Sequence, residues 1–128
     1  MKKHIVLMAS VLFVLIFAAG CAENMEVNEE MNGGSVELEQ GQTLVLKLGS
    51  NPSTGYDWEL VDLNAAILEQ VGEVEYKSDS ALIGSGGVNT YTFKAVGSGS
   101  MQLTLVYHRS WEKDIPPIET YELDIVVK

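Results

Sequence analysis

From Ser35 onward the chain is a succession of short stretches in which apolar and polar residues alternate. "SVELE" sets Val36 and Leu38 on one face, and "TLVLKL" does the same with Leu44, Leu46 and Leu48. "YDWELV" places Tyr56, Trp58 and Leu60 against Asp57 and Glu59, and "EVEYK" offers Val74 and Tyr76. "TYTFKA" presents Tyr91, Phe93 and Ala95, and "MQLTLVY" presents Met101, Leu103, Leu105 and Tyr107. "YELDIVV" ends the series with Tyr121, Leu123, Ile125 and Val127. A period of two marks strands with one buried face, and Gly, Asn, Ser or Pro separates most of these stretches. The pattern predicts an all-β domain over residues 35–128, an immunoglobulin-like antiparallel β-sandwich of about seven to eight strands. A closed barrel is the alternative. Only "LNAAILEQV" has helical spacing, enough for a turn or two.

The first 34 residues differ. Lys2 and Lys3 precede an apolar run from Ile5 to Phe17, followed by "AAGC". That run is short for a membrane span, and its flanks suit an export signal over residues 1–21. Cys21 then resembles the lipidated cysteine of a lipoprotein signal, with Ala18 where leucine is usual. A plain signal peptide cut nearby is the other reading. Either way the protein is expected at the cell envelope or cell surface, or secreted, with contact to membrane only through a lipid on Cys21. Residues 22–34, "AENMEVNEEMNGG", are acidic and aperiodic and read as a flexible tether.

Composition narrows the chemistry. Cys21 is the only cysteine, so the exported domain has neither a disulfide nor a cysteine nucleophile, and a cysteine-based zinc site is excluded. Past the signal only His108 remains of the two histidines, and neither an HExxH nor a calcium-loop pattern occurs. Losing Lys2 and Lys3 leaves 6 basic residues against 18 acidic ones, a net charge of −12. Such a balance disfavours nucleic acid, which needs clustered Lys and Arg. No cofactor or metal is indicated, and the acids alternate with core residues as a solvated strand face.

Three loops stand out. In "NPSTGY", Pro52 fixes its own φ and pushes Asn51 out of the helical region. Gly55 permits a positive φ, and Asn51 can close the base of the turn. A short, stiff tip carrying Ser53 and Thr54 should result, ending at Tyr56. "LIGSGG" follows, where Leu82 leads into Gly84, Ser85, Gly86 and Gly87, a bare backbone that another chain can approach. In "YHRSWE", Arg109, Ser110 and Trp111 end a strand with residue types enriched at binding hot spots. Taken singly, each has a plain structural reading: an ordinary turn, a hairpin tip, or a tryptophan covering an open end of the sandwich with Arg109 paired to an acid.

Together, in this order, the three resemble the chagasin family of cysteine-protease inhibitors. That family carries Asn-Pro-Thr-Thr-Gly-Tyr/Phe, Gly-x-Gly-Gly and Arg-Pro-Trp loops on an immunoglobulin-like domain. Here they stand as Asn51–Tyr56, Gly84–Gly87 and Arg109–Trp111, with Ser53 in place of a threonine and Ser110 in place of the proline. The resemblance covers about residues 35–128. It implies a reversible, non-covalent inhibitor of papain-like cysteine proteases that is not itself an enzyme, and nothing in the sequence demands more than a monomer. The first loop would sit over the catalytic cysteine and histidine, Gly84–Gly87 along one flank, and Arg109 and Trp111 on the other. Ser110 would leave the third loop less rigid. An adhesion or assembly module using the same loops, and a carbohydrate-binding or hydrolytic β-domain using acids beside Trp58 or Trp111, are the competing readings.

Overall fold

A computed structural model of the chain describes residues 24–128; the expected export signal over residues 1–21 and its Cys21 lie outside the described residues. Two sheets face one another. The first contains β1 (Met25–Val27), β3 (Thr43–Ser50), β7 (Gly87–Ala95), β5 (Leu68–Gln70) and β6 (Glu75–Ser78). It runs β1-β3-β7, with β5 pairing Phe93–Ala95 and β6 pairing Gly87–Thr90. The second runs β2-β9-β8-β4, formed by β2 (Ser35–Leu38), β9 (Glu119–Val127), β8 (Gly99–His108) and β4 (Asp57–Asp62).

The alternating residues do what their spacing requires. Leu44, Leu46 and Leu48 meet Tyr91, Phe93 and Ala95 from within one sheet, and Leu103, Leu105, Leu123, Ile125 and Val127 from the other. Each fully buried leucine contributes roughly 1.5–3 kcal/mol, so a domain without disulfides is held by this interior. Trp58 ties the sheets further: its indole Nε1–H donates to the Gly49 carbonyl at 2.9 Å, and its own carbonyl accepts from the Tyr91 hydroxyl at 3.3 Å. Burial, reinforced by the charge of Asp57 and opposed by a bond to Asn89, pushes the Tyr91 hydroxyl up to about 12, so it stays a neutral donor.

The architecture departs from the expected one in three places. The sheets are mixed rather than antiparallel, because β1 lies parallel to β3 and β2 parallel to β9. Among the described residues there are nine strands; β1 and β5 are three residues each, too short to show a period. The helical spacing of "LNAAILEQV" gives the expected short turn: the Asn64 carbonyl accepts from Ile67 and Leu68, and the chain then enters β5. Val74 and Tyr76 do not face the core. Every residue of β6 is exposed, because this strand has β7 as its single neighbour and stands outside the apolar cluster.

The stretch read as a flexible tether is folded from Met25 onward. Val27 is buried, and Glu29–Met31 form a short 3₁₀ turn that carries the chain from one sheet to the other. Asn32 donates to the Thr120 carbonyl at 3.0 Å and accepts from the Glu122 N–H at 2.8 Å. The Asn28 carbonyl accepts from the Tyr121 hydroxyl at 2.9 Å, and the Glu29 carboxylate accepts from the Gly49 N–H. Burial, with the Glu29 charge adding, pushes Tyr121 up to about 12. Composition misleads here because Asn and Glu, typical of linkers, supply the bonds themselves.

Candidate functional site

The loops after β3, β6 and β8 emerge at one end of the sandwich. The first crosses from one sheet to the other between Ser50 and Asp57. Pro52–Thr54 form a 3₁₀ turn, and Gly55 ends it at φ 85°, a region that favours glycine. Asn51 caps this turn: its Oδ1 accepts from the Ser53 N–H at 3.2 Å and the Ser53 hydroxyl at 2.6 Å. Its carbonyl accepts from the Thr54 N–H at 3.1 Å and the Thr54 hydroxyl at 2.7 Å. Both hydroxyls of the tip are therefore turned back onto Asn51. Serine at position 53 keeps the group the turn uses.

A polar cluster supports the loop from below. The Asp57 carboxylate accepts from the Trp58 N–H at 2.8 Å, from buried Asn89 at 2.9 Å and, more weakly, from the Ser50 hydroxyl at 3.4 Å. Strands from both sheets are so joined where the loop begins and ends. Beside it Tyr107 accepts from the Asn51 N–H at 3.0 Å.

The second loop is the tip of the β6–β7 hairpin and is tighter than its glycines imply. The Ser78 and Ser85 hydroxyls both donate to the Ser80 carbonyl, at 2.6 and 3.0 Å, and the Ser80 hydroxyl accepts from the Leu82 N–H at 3.0 Å. Leu82 and Ile83 stand out into solvent, Ile83 fully. Among the glycines the roles divide. A Cβ on Gly86 would lie 3.3 Å from the Ser50 carbonyl, whereas one on Gly87 would fall 2.2 Å from the Lys77 carbonyl. Gly87 is buried in β7, and its bareness serves the hairpin.

In the third loop the Arg109 carbonyl accepts from the Glu112 N–H at 3.1 Å, closing a turn with Ser110 and Trp111 at its centre. Among the described residues Arg109 is not paired to an acid. Its Nε–H donates to the Thr54 carbonyl at 3.1 Å, and its guanidinium lies 4.4 Å over the Tyr56 ring. Trp111 is 66% exposed and rests against the first loop rather than on the core: a Cβ on Gly55 would meet its ring at 2.4 Å.

Asn51 also donates from Nδ2 to the Gly84 carbonyl at 3.2 Å. The first loop is thus bonded to the second through Asn51 and to the third through Thr54, and all three motifs form one continuous surface. The model of the chagasin family, peptidase inhibitor family I42, matches residues 37–125. The chain belongs to this family. Chagasin of Trypanosoma cruzi is 29% identical over 90 residues, covering 67% of this chain and 82% of the relative. The solved cysteine protease inhibitor EhICP2 of Entamoeba histolytica superposes with a TM-score of 0.73 at 19% identity, over 83% of this chain and 96% of the other. PbICP-C, solved in complex with falcipain-2, superposes with a TM-score of 0.60 at 15% identity, over 84% and 93%. The latter two likenesses establish the fold, and its relatives are inhibitors rather than enzymes.

Two groups escaped the sequence reading. Ile83, the most exposed apolar residue of the second loop, lies beside Leu82 in a stretch whose glycines carry the sequence signal. Tyr107 read as the last inward residue of its strand, and only its cross-strand place opposite Trp58 shows it beneath the loops.

Proposed function

We propose that this chagasin-family member is a reversible, non-covalent inhibitor of papain-family cysteine proteases that acts as a monomer and fills the active-site cleft with its three loops. The observation that carries this reading is the bonding of both flanking loops to the first. A wedge pre-assembled in this way loses little conformational entropy on entering a cleft. Asn51–Tyr56 would lie over the catalytic cysteine and histidine. The Leu82–Gly86 tip would follow the protease backbone on one flank, and Arg109, Ser110 and Trp111 would pack on the other. Blocking requires no nucleophile from the inhibitor. A footprint of this kind buries about 1,600 Å² in protease–inhibitor complexes.

The surface supports the assignment. Of the ten exposed large hydrophobic residues among the described residues, five belong to the second and third loops: Leu82, Ile83, Trp111, Ile115 and Ile118. Lipid attachment at Cys21, on an exported chain at the cell envelope, fits the same picture. β1 runs parallel to β3 toward the loop end, so the chain enters the fold at the opposite end. An anchor there leaves the loops facing away from the membrane. Replacing Cys21 with serine should release the protein from the membrane fraction.

The deciding experiment titrates residues 22–128 against papain and a cathepsin-L-like protease, with a serine protease as control. Reversible inhibition of the cysteine proteases alone is expected. Absence of inhibition at micromolar concentration overturns the reading and favours an adhesion module using the same loops.

A further inference from the structure

Tyr107 belongs to none of the three motifs, yet each of them depends on a group it touches. We propose that Tyr107 is the positioning residue that holds the three loops in one arrangement before any protease is met. This deepens the inhibitor reading and rests on it. The hydroxyl accepts from the N–H of Asn51 at 3.0 Å. Asn51 in turn caps the first loop through Oδ1 and holds the second through Nδ2 and the Gly84 carbonyl. One phenol oxygen therefore fixes the residue from which two loops are arranged.

The ring reaches the third loop by a different route. It stacks against Tyr56 with centroids 5.6 Å apart and lies 5.0 Å from Trp58. Tyr56 carries the Arg109 guanidinium at 4.4 Å, and Arg109 bonds the Thr54 carbonyl. A column Trp58–Tyr107–Tyr56–Arg109 so runs from the interior to the binding surface. Its base does not move with the loops: Trp58 and Tyr107 are cross-strand partners in the β4–β8 ladder, and Trp58 is bonded to Gly49 in the other sheet. Tyr107 transfers the rigidity of the sandwich to segments that have few bonds of their own to it.

Tyr107→Phe separates the two contributions, because it keeps the ring and removes the acceptor. In residues 22–128, amide hydrogen exchange should accelerate at Asn51 at least tenfold while strand amides stay unchanged. The inhibition constant against papain should rise by about three- to tenfold, the effect of one lost hydrogen bond. The melting temperature should fall by no more than about 8 °C, the shift that one lost hydrogen bond brings to a small domain. Tyr107→Leu, which removes the column as well, should weaken inhibition further. An Asn51 amide still protected in Tyr107→Phe, or an unchanged inhibition constant, overturns the proposal. So does a larger fall in melting temperature with faster exchange throughout the strands, because the residue would then be structural. If the wild-type chain inhibits nothing, the inhibitor reading fails on that result, and the exchange at Asn51 still decides whether Tyr107 positions the loops.

Discussion

The two ends of the sandwich are built on different terms. At the end away from the loops, segments meet backbone to backbone. Gly41 donates to the Ala95 carbonyl at 2.7 Å, Ala95 to Gln42 and Val96 to Ile67 at 2.9 Å, and Lys128 to Leu38 at 2.9 Å. At the loop end, every bond from one motif loop to another uses a side chain: Asn51 to Gly84, and Arg109 to Thr54. Backbone pairing tolerates most substitutions, because any residue but proline supplies both partners. Side-chain pairing assigns the arrangement to a few positions. One end is therefore closed by the fold and the other is specified residue by residue.

Glycines make the contrast testable. A Cβ on Gly97 would fall 2.2 Å from the Ala66 carbonyl, a backbone atom at the closed end. Gly97→Ala should lower stability by about 2–3 kcal/mol, as overpacking does, while the folded fraction inhibits papain as before. Thermal unfolding and titration together check this; lost inhibition in a fully folded variant breaks the division between the two ends. The reverse profile is expected of Trp111→Ala, since that ring is two-thirds exposed. Inhibition should weaken by about 1–3 kcal/mol, as for a hot-spot aromatic, with the melting temperature unmoved. Gly55→Ala should act on the same ring from beneath, with added strain at φ 85°.

Smaller effects sharpen the picture. Arg109→Lys keeps the charge and loses the Nε donor and the planar face over Tyr56, so inhibition should weaken by about 1 kcal/mol; an unchanged constant would make the contact to Thr54 incidental. Ser110→Pro should act in the opposite direction. Ser110 follows Arg109 in the turn closed by the Glu112 N–H, the position where proline is favoured. Stiffening should stabilise the loop by about 0.4–1 kcal/mol and lower the inhibition constant. A weaker inhibitor would show that the third loop needs its freedom.

Much of this was legible along the chain. The core faces of β2, β3, β4, β7, β8 and β9 follow from alternation, because each is long enough for its neighbours to repeat the pattern. The turn chemistry of Asn51, Pro52 and Gly55 was legible for a similar reason: it acts over two or three residues. Reading failed where the signal was short or borrowed. β1 and β5 have three residues each, and Tyr76 alternates like a core residue on a strand with nothing to bury against. Gly87 resembled its neighbours in the glycine loop, and only the proximity of the Lys77 carbonyl separates it from Gly84 and Gly86.

By itself the sequence determined the all-β class, the places of seven strands and the chemistry offered by each loop, since periodicity, backbone restriction and side-chain type are properties of neighbours along the chain. Only the tertiary structure decided which edges pair in parallel, that Met25–Val27 form a strand of the first sheet, and that the three loops form one surface. The last of these rests on Asn51 reaching Gly84 across 33 positions, Arg109 reaching Thr54 across 55 and Asn51 meeting Tyr107 across 56. Contacts of that span depend on the register of whole strands, and no local pattern records them.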